Sequence, residues 1–424
     1  MDIVLVVLLA LTYVLFCVYA ARGGNLVIGF FVMAIIWCVL GKAELNYILT
    51  NVIQNGANSY GPTAVLVIIG SWFGRVLVET GIAGSIIRRT VELGGDKPAV
   101  TTILLSLVVM LIFTSTFGVG AVIAIGVIAL PILMSLGVPK KLAVCSYVMA
   151  IGAGMYMNQT LFAQMQMIFT DLKFDGAWTT FALVAMAAQF CVIIAMVLVH
   201  TRKGTAVRTW SAPASPVSQN VPFYAMLIPI IPVLMSIAFK WPAVPGLMLA
   251  IILSFLFTGN MWSLSKLANM IQKTLQDGVS DIAALLGMLL VLNMFNPAAN
   301  KAVDVVREVI GGTVAIGPWT VALAIGLIAP LGLFRGPLMV WGVGAATASI
   351  LTGIFNFPMA VAFPLIYVPT ISIAISCCPT QSWNLWTASY MKLDIGTFIK
   401  TGVPWGWIAV FINIILAMIL YAKV

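Results

Sequence analysis

A chain of 424 residues that is 62% hydrophobic and 8% charged has too little polar surface to fold as a soluble globule. Its apolar residues fall in runs of roughly 18 to 22, the length that crosses a bilayer as a helix. The composition therefore defines an all-α polytopic membrane protein, and the formal charge of +9, concentrated in short loops, reads as a topology signal rather than a nucleic-acid surface.

The first run, near 3–20, has no basic residue ahead of it and Arg22 directly behind it. A cleaved signal peptide has the opposite charge order, so this run is expected to remain as a first helix with its N-terminus outside. Runs near 25–41 and 62–80 follow, then a polar arm carrying Arg88, Arg89 and Lys97. Two short runs, 98–113 and 119–136, are split by TSTFG. Each is short for a full crossing, and together they predict a re-entrant hairpin over about 98–136. The following run is interrupted by GMYMNQT (154–160), which predicts a broken helix over about 142–165. The chain then returns over 177–200 to its single histidine, His200, expected at an interface.

Residues 201–220 form the one long polar stretch, basic and rich in Pro and Ser, and read as a cytoplasmic linker between two halves, 1–200 and 221–424. The second half repeats the order. Runs at 222–239, 243–258 and 279–296 lead to a polar arm, NKAVDVVREVIGG. A second hairpin follows over about 313–353, split by LGLFRG, then a broken helix over about 359–389, interrupted by CCPTQSWN, and a last helix at 402–422. Each half crosses the membrane about five times, an odd number, so two inverted-topology repeats are expected. The basic residues then favour the cytoplasmic loops by roughly two to one.

Discontinuous helices in inverted repeats are the mark of secondary transporters, whose half-helix ends meet at a solvated site. The substrate-binding candidates are Thr114, Ser115, Thr116 and Gly118 at the first hairpin tip and Asn158, Gln159 and Thr160 in the first broken helix. Arg335 and Gly336 at the second tip, with Thr380, Gln381, Ser382 and Asn384 in the second broken helix, complete the set. The neutral side chains supply hydrogen-bond donors and acceptors. Arg335 supplies a fixed positive charge that is costly in lipid and therefore expected to face a cavity and an anion. Coupling-ion candidates are Ser115 and Thr116, whose oxygens suit Na+, and Glu79 and Asp281 for a proton relay. The simpler reading of the acids is structural: an Arg75–Glu79 pair within one helix, and Asp277 and Asp281 at the start of the 279–296 helix. Apart from Na+ no cofactor or metal is expected. Cys377 and Cys378 are adjacent, and the other four cysteines lie inside apolar runs as small fillers.

The stretches GSWFGRVLVETGIAGSIIRRTVELGGDK and FGVGAVIAIGVIALPILMSLGVP, with QSWNLWTASYMKLDIGTFIKTGVPW near the end, resemble the gluconate-permease family within the ion-transporter superfamily of organic-anion carriers. The resemblance implies a bacterial cytoplasmic-membrane symporter of small carboxylates, driven by H+ or Na+ and assembled as a homodimer. It places the substrate region on Thr114 to Gly118, Asn158 to Thr160, Arg335 to Pro337 and Gln381 to Asn384. An acidic residue near the first tip and an Asp-Pro pair in the last broken helix belong to the family pattern, whereas here the corresponding stretches read TSTFGVG and PTQSWN, a departure that bears on sugar-acid specificity and proton coupling but not on the architecture. An exporter, an exchanger or a Na+/H+ antiporter on the same scaffold is the alternative. An intramembrane enzyme is not expected, because no catalytic constellation of His, Cys, Asp or Glu is apparent.

Overall fold

The computed structural model of the protein describes residues 2–201, 221–310 and 312–421, in which every regular element is helical. The expected linker lies, apart from Thr201, outside the described residues. Helices α1 (Asp2–Ala21) and α2 (Leu26–Leu40) precede α3 (Leu45–Glu79), which begins well before the expected 62–80 run and is wound as a π-helix over Ile48–Asn55. The amphipathic α4 (Ile82–Gly94) leads to α5 (Pro98–Phe113) and α6 (Val119–Ser135), the two arms of the first hairpin. Next come α7 (Lys140–Met155), α8 (Gln159–Gln166) and α9 (Gly176–Thr201).

In the second half, α10 (Phe223–Phe239) and α11 (Ala243–Phe257) are followed by α12 (Leu264–Val309). The second hairpin holds α13 (Pro318–Leu327) and α14 (Gly344–Gly353). Helices α15 (Met359–Ile375), α16 (Ser382–Tyr390) and α17 (Ile395–Tyr421) close the chain. Among the described residues five helices, α1, α3, α9, α12 and α17, are long and apolar enough to cross a bilayer on their own. This is an all-α polytopic membrane protein.

Three expectations change here. The 279–296 run and its polar arm are one helix of 46 residues, about 69 Å long at 1.5 Å per residue and more than twice a bilayer's hydrocarbon thickness. Pro297 inside it removes one hydrogen bond without ending it. Asp277 and Asp281 therefore lie in a helix interior, not at a helix start. The second arm of the second hairpin is also shorter than the run 337–353, because residues 336–343 form turns and helix resumes only at Gly344. Finally, the last helix, expected at 402–422, starts earlier, at Ile395 in α17.

Packing follows the same plan in both halves. Arm α6 lies on α3 as α14 lies on α12, α7 packs on α9 as α15 packs on α17, and α5 contacts α9 as α13 contacts α17. The long helix α12 also packs along α2 and α3. Close approach there rests on small residues: Gly278 has the backbone of Trp72 about 3.0 Å from where a Cβ would stand.

Candidate anion-binding site

The two broken helices are built alike, each around a buried asparagine. Asn158 Nδ2–H donates to the carbonyls of Phe113 (3.0 Å) and Thr116 (2.9 Å), the open end of α5 at the first hairpin tip, while its Oδ1 accepts from Leu161 N–H and caps α8. Asn384 Nδ2–H donates to Ile375 and Cys378 carbonyls, both at 2.9 Å, closing the end of α15. One short amide thus satisfies carbonyls that a helix break would otherwise orphan. Tyr367 Oη–H does the same for the carbonyls of Met155 (3.1 Å) and Tyr156 (3.0 Å) at the end of α7.

Most of the first tip's hydroxyls face inward. Thr114 and Thr116 donate back to Leu111 and Ile112 carbonyls, and only Ser115 Oγ is buried without a partner among the described residues. Thr160 is buried beside Gly70. Gln159, with both amide atoms unpartnered, lines a separate cavity of about 840 Å3 together with Gln166, Asp175 and Lys240. The first broken helix is therefore part of the frame rather than of the pocket described next.

The second tip is the strained one. A 61° bend separates α13 from the 3₁₀ turn Ala329–Arg335, and Phe334 and Arg335 take left-handed backbone angles, φ +52 and +61. Such angles cost a non-glycine residue on the order of 1–2 kcal/mol each, so the surroundings hold them in place. Phe334 N–H donates to Cys378 Sγ (3.1 Å), which also meets Thr380 Oγ1 (3.0 Å), and Val340 N–H donates to Thr370 Oγ1 (3.0 Å). Gly336 is obligatory, since a Cβ there would overlap the Leu331 carbonyl. Trp341 Nε1–H donates to Gln164 Oε1 (2.7 Å) and ties this tip to α8.

These contacts form a pocket of about 140 Å3 walled by Gly118 and Val119, by Arg335 and Trp341, by Gln381 to Trp383, and by the stretch of α12 from Asp281 to Met288. Three of the four helix breaks reach it. Of the expected binding residues, Gly118, Arg335, Gln381 and Ser382 line the wall. The guanidinium of Arg335 meets only Met288 Sδ, at 4.0 Å, and has no carboxylate partner among the described residues. Two helix N-termini open on the same wall, α6 at Gly118 and α16 at Gln381, and neither has a side-chain cap. Their free N–H groups carry partial positive charge.

The acids differ from the expected pairing. Arg75 does not bond Glu79 on its own helix. It clamps Asp281 of α12 with both carboxylate oxygens at 2.6 Å, and Glu79 instead meets Lys273 at 2.9 Å. The i, i+4 spacing is satisfied across helices because α12 runs on past its expected start and brings its own charges alongside α3. Asp281, expected at a helix end, consequently lines the Arg335 pocket. Phe117 and Trp383, which the resemblance covers only as members of the ranges Thr114 to Gly118 and Gln381 to Asn384, also line the wall, and sequence reasoning missed Trp341, six positions past Arg335, whose nearness to a recognised break was the available signal. Among the described residues no group of three or more His, Cys, Asp or Glu side chains is arranged for a metal ion.

No protein-family model matches the sequence, and no curated protein matches it. Among solved structures, the chain is similar to the crystal structure of the YdaH transporter of Alcanivorax borkumensis, with a TM-score of 0.63 over 89% of each chain and 13% sequence identity. At that identity the likeness is one of fold. It joins this chain to a polytopic architecture that another membrane protein, a transporter, also uses.

Proposed function

We propose that the protein is a secondary active transporter that moves a small organic anion, a carboxylate or sugar acid, by alternating access between two inverted halves. The observation that carries this reading is the convergence of an unpaired guanidinium, Arg335, with two uncapped helix N-termini on one pocket between the hairpin tips. Each element favours an anion, and together they leave negative charge on a ligand as the missing partner. A fold held in common with a transporter supports the same reading.

In this scheme Arg335 holds the carboxylate, Gln381 and Ser382 hydrogen-bond its substituents, and symport with H+ or Na+ drives uptake into a bacterial cell across the cytoplasmic membrane, with the protein acting as a homodimer. The presence of Asp281 in the pocket wall favours one second reading, cation or proton exchange centred on that carboxylate. A thermal-shift screen of small carboxylates on purified protein, followed by liposome uptake under an imposed H+ or Na+ gradient, tests both. Carboxylate-dependent stabilisation and gradient-driven uptake, both lost in Arg335→Ala, support anion transport. Cation flux that needs no carboxylate points to exchange and overturns it.

A further inference from the structure

The cavity of about 840 Å3 lies between α3, α8, the start of α9 and the turn that joins α10 to α11. Its floor is apolar and helical, made by Leu66, Phe162, Leu183, Ile237 and Val244. Leu183 and Ile237 are exposed, so the floor opens on the surface that the membrane covers. Its rim is formed by two interhelical turns, the end of 167–175 and Lys240–Pro242. Turns of this kind stand at the membrane surface, where backbone groups outside a helix can still meet water. The rim is therefore at headgroup level and the floor at the depth of the acyl chains.

The cavity has two charged wall residues, Asp175 and Lys240, both exposed, and neither has an ion-pair partner among the described residues. Local structure fixes where each stands. Asp175 Oδ1 accepts from Trp178 N–H (2.9 Å) and caps α9, while its Oδ2 receives no hydrogen bond among the described residues. Lys240 ends α10 in the left-handed region, φ +55, and the next N–H, that of Trp241, closes on the Met235 carbonyl (3.2 Å). Trp241 lines the same rim, and an indole, apolar in its ring and polar at its N–H, favours the bilayer interface. The hydroxyls of Thr179 and Thr180 and the amide of Gln166 donate to backbone carbonyls, which leaves the two charges as the strongest polar groups at the rim.

We infer that this cavity binds a glycerophospholipid whose headgroup carries both a phosphate and a primary ammonium. Lys240 meets the phosphate, Asp175 meets the ammonium, and an acyl chain lies along the apolar floor. Charge complementarity selects the headgroup. One with negative charge alone would face the Asp175 carboxylate, and a quaternary ammonium offers that carboxylate no N–H to accept. The floor selects a lipid over a soluble ion, because an ion at the rim would leave the apolar surface beneath it wet. The inference goes beyond the anion-transport reading and does not depend on it.

The test is native mass spectrometry of the purified full-length protein, stripped of lipid in detergent and titrated with dioleoyl phosphatidylethanolamine, phosphatidylcholine or phosphatidylglycerol. The apparent Kd of the first bound lipid is read. Phosphatidylethanolamine should bind about fivefold tighter than either of the others, the scale of one exposed ion pair. Lys240→Gln should weaken all three lipids by a similar factor. Asp175→Asn keeps an oxygen to cap α9, should melt like the wild type without lipid, and should abolish the preference for ethanolamine over choline. Soluble phosphoethanolamine in large excess should leave the bound lipid in place. Equal binding of the three lipids, or none, would mean that the rim does not read a headgroup. A preference retained in both variants would place the lipid elsewhere, and displacement by phosphoethanolamine would make this a site for a small soluble phosphate. Each of these outcomes overturns the proposal while leaving the Arg335 reading untouched, just as a failed carboxylate screen would leave this one untouched.

Discussion

Asp281 accepts two hydrogen bonds from Arg75, each 2.6 Å, and the pair is seated directly against Gly120 of the first hairpin. It links α3 to α12 at the point where the arm α6 crosses them, and the carboxylate also forms part of the pocket wall beside Arg335. Its bidentate engagement by Arg75 leaves Arg335 as the charge available to a ligand.

Removing one partner should cost more than removing both. Asp281→Ala leaves a guanidinium without its counter-charge. Because the side chains retain 24% and 15% exposure, a loss of about 1–3 kcal/mol is expected, less than for a fully buried pair. The Arg75→Ala/Asp281→Ala double variant should recover part of that loss, and thermal unfolding of the four proteins gives the coupling energy directly. If the double variant is as unstable as the sum of the singles, the two residues are not paired in solution.

Gly120 is the position from which the pair can be broken without touching either charge. A Cβ built there overlaps the Asp281 carboxylate and comes within 2.6 Å of Arg75 Nε. Gly120→Val should therefore lower the melting temperature in the wild-type background and do markedly less in the Arg75→Ala/Asp281→Ala background. Equal losses in both backgrounds would show that the valine acts through helix packing alone.

The broken helices give an unusual ordering of variants. Asn158→Asp is nearly isosteric and keeps the oxygen that caps Leu161 N–H, but it turns an acceptor toward the carbonyls of Phe113 and Thr116. It should destabilise at least as much as Asn158→Ala, by about 2–4 kcal/mol for two lost buried hydrogen bonds. A milder effect of Asp than of Ala in thermal unfolding would remove Asn158 from the tip-closing role.

Much of this architecture was legible because membrane helices announce themselves by length and their interruptions by polarity. The breaks at Thr114–Gly118 and Asn158 fall where the sequence places them and the last one ends at Gln381, three residues short of its expected end at Asn384, since Gly, Pro and Asn are the residues that can end or cap a helix at depth. What a break does was less legible. Asn158 and Gln381 occupy similar positions, yet Asn158 closes its helix end with its own side chain while Gln381 leaves its helix end open to the pocket, and only the chain's path decides between them. The acids were misassigned for a related reason. An i, i+4 spacing is a local rule, and the partners of Arg75 and Glu79 come instead from α12, about 200 residues away in sequence. The continuity of α12 through Pro297 was equally hidden, because proline weakens a helix locally and its neighbours decide whether the helix survives.

Arg335 offers the sharpest test of the site, because lysine and alanine remove different parts of its chemistry. Lysine keeps the charge but not the planar fork that grips a carboxylate with two parallel hydrogen bonds, whereas alanine removes both. For a carboxylate that stabilises the wild-type protein, binding should weaken roughly tenfold in Arg335→Lys and on the order of 100-fold in Arg335→Ala, about 3 kcal/mol for the latter. The left-handed backbone at this position, φ +61, is occupied by a non-glycine residue, so Arg335→Gly should lose the ligand as alanine does while melting no lower without it. Isothermal titration of the four proteins with one carboxylate, alongside their melting temperatures in its absence, separates lost recognition from lost folding. Undiminished affinity in Arg335→Ala would remove the guanidinium from the site.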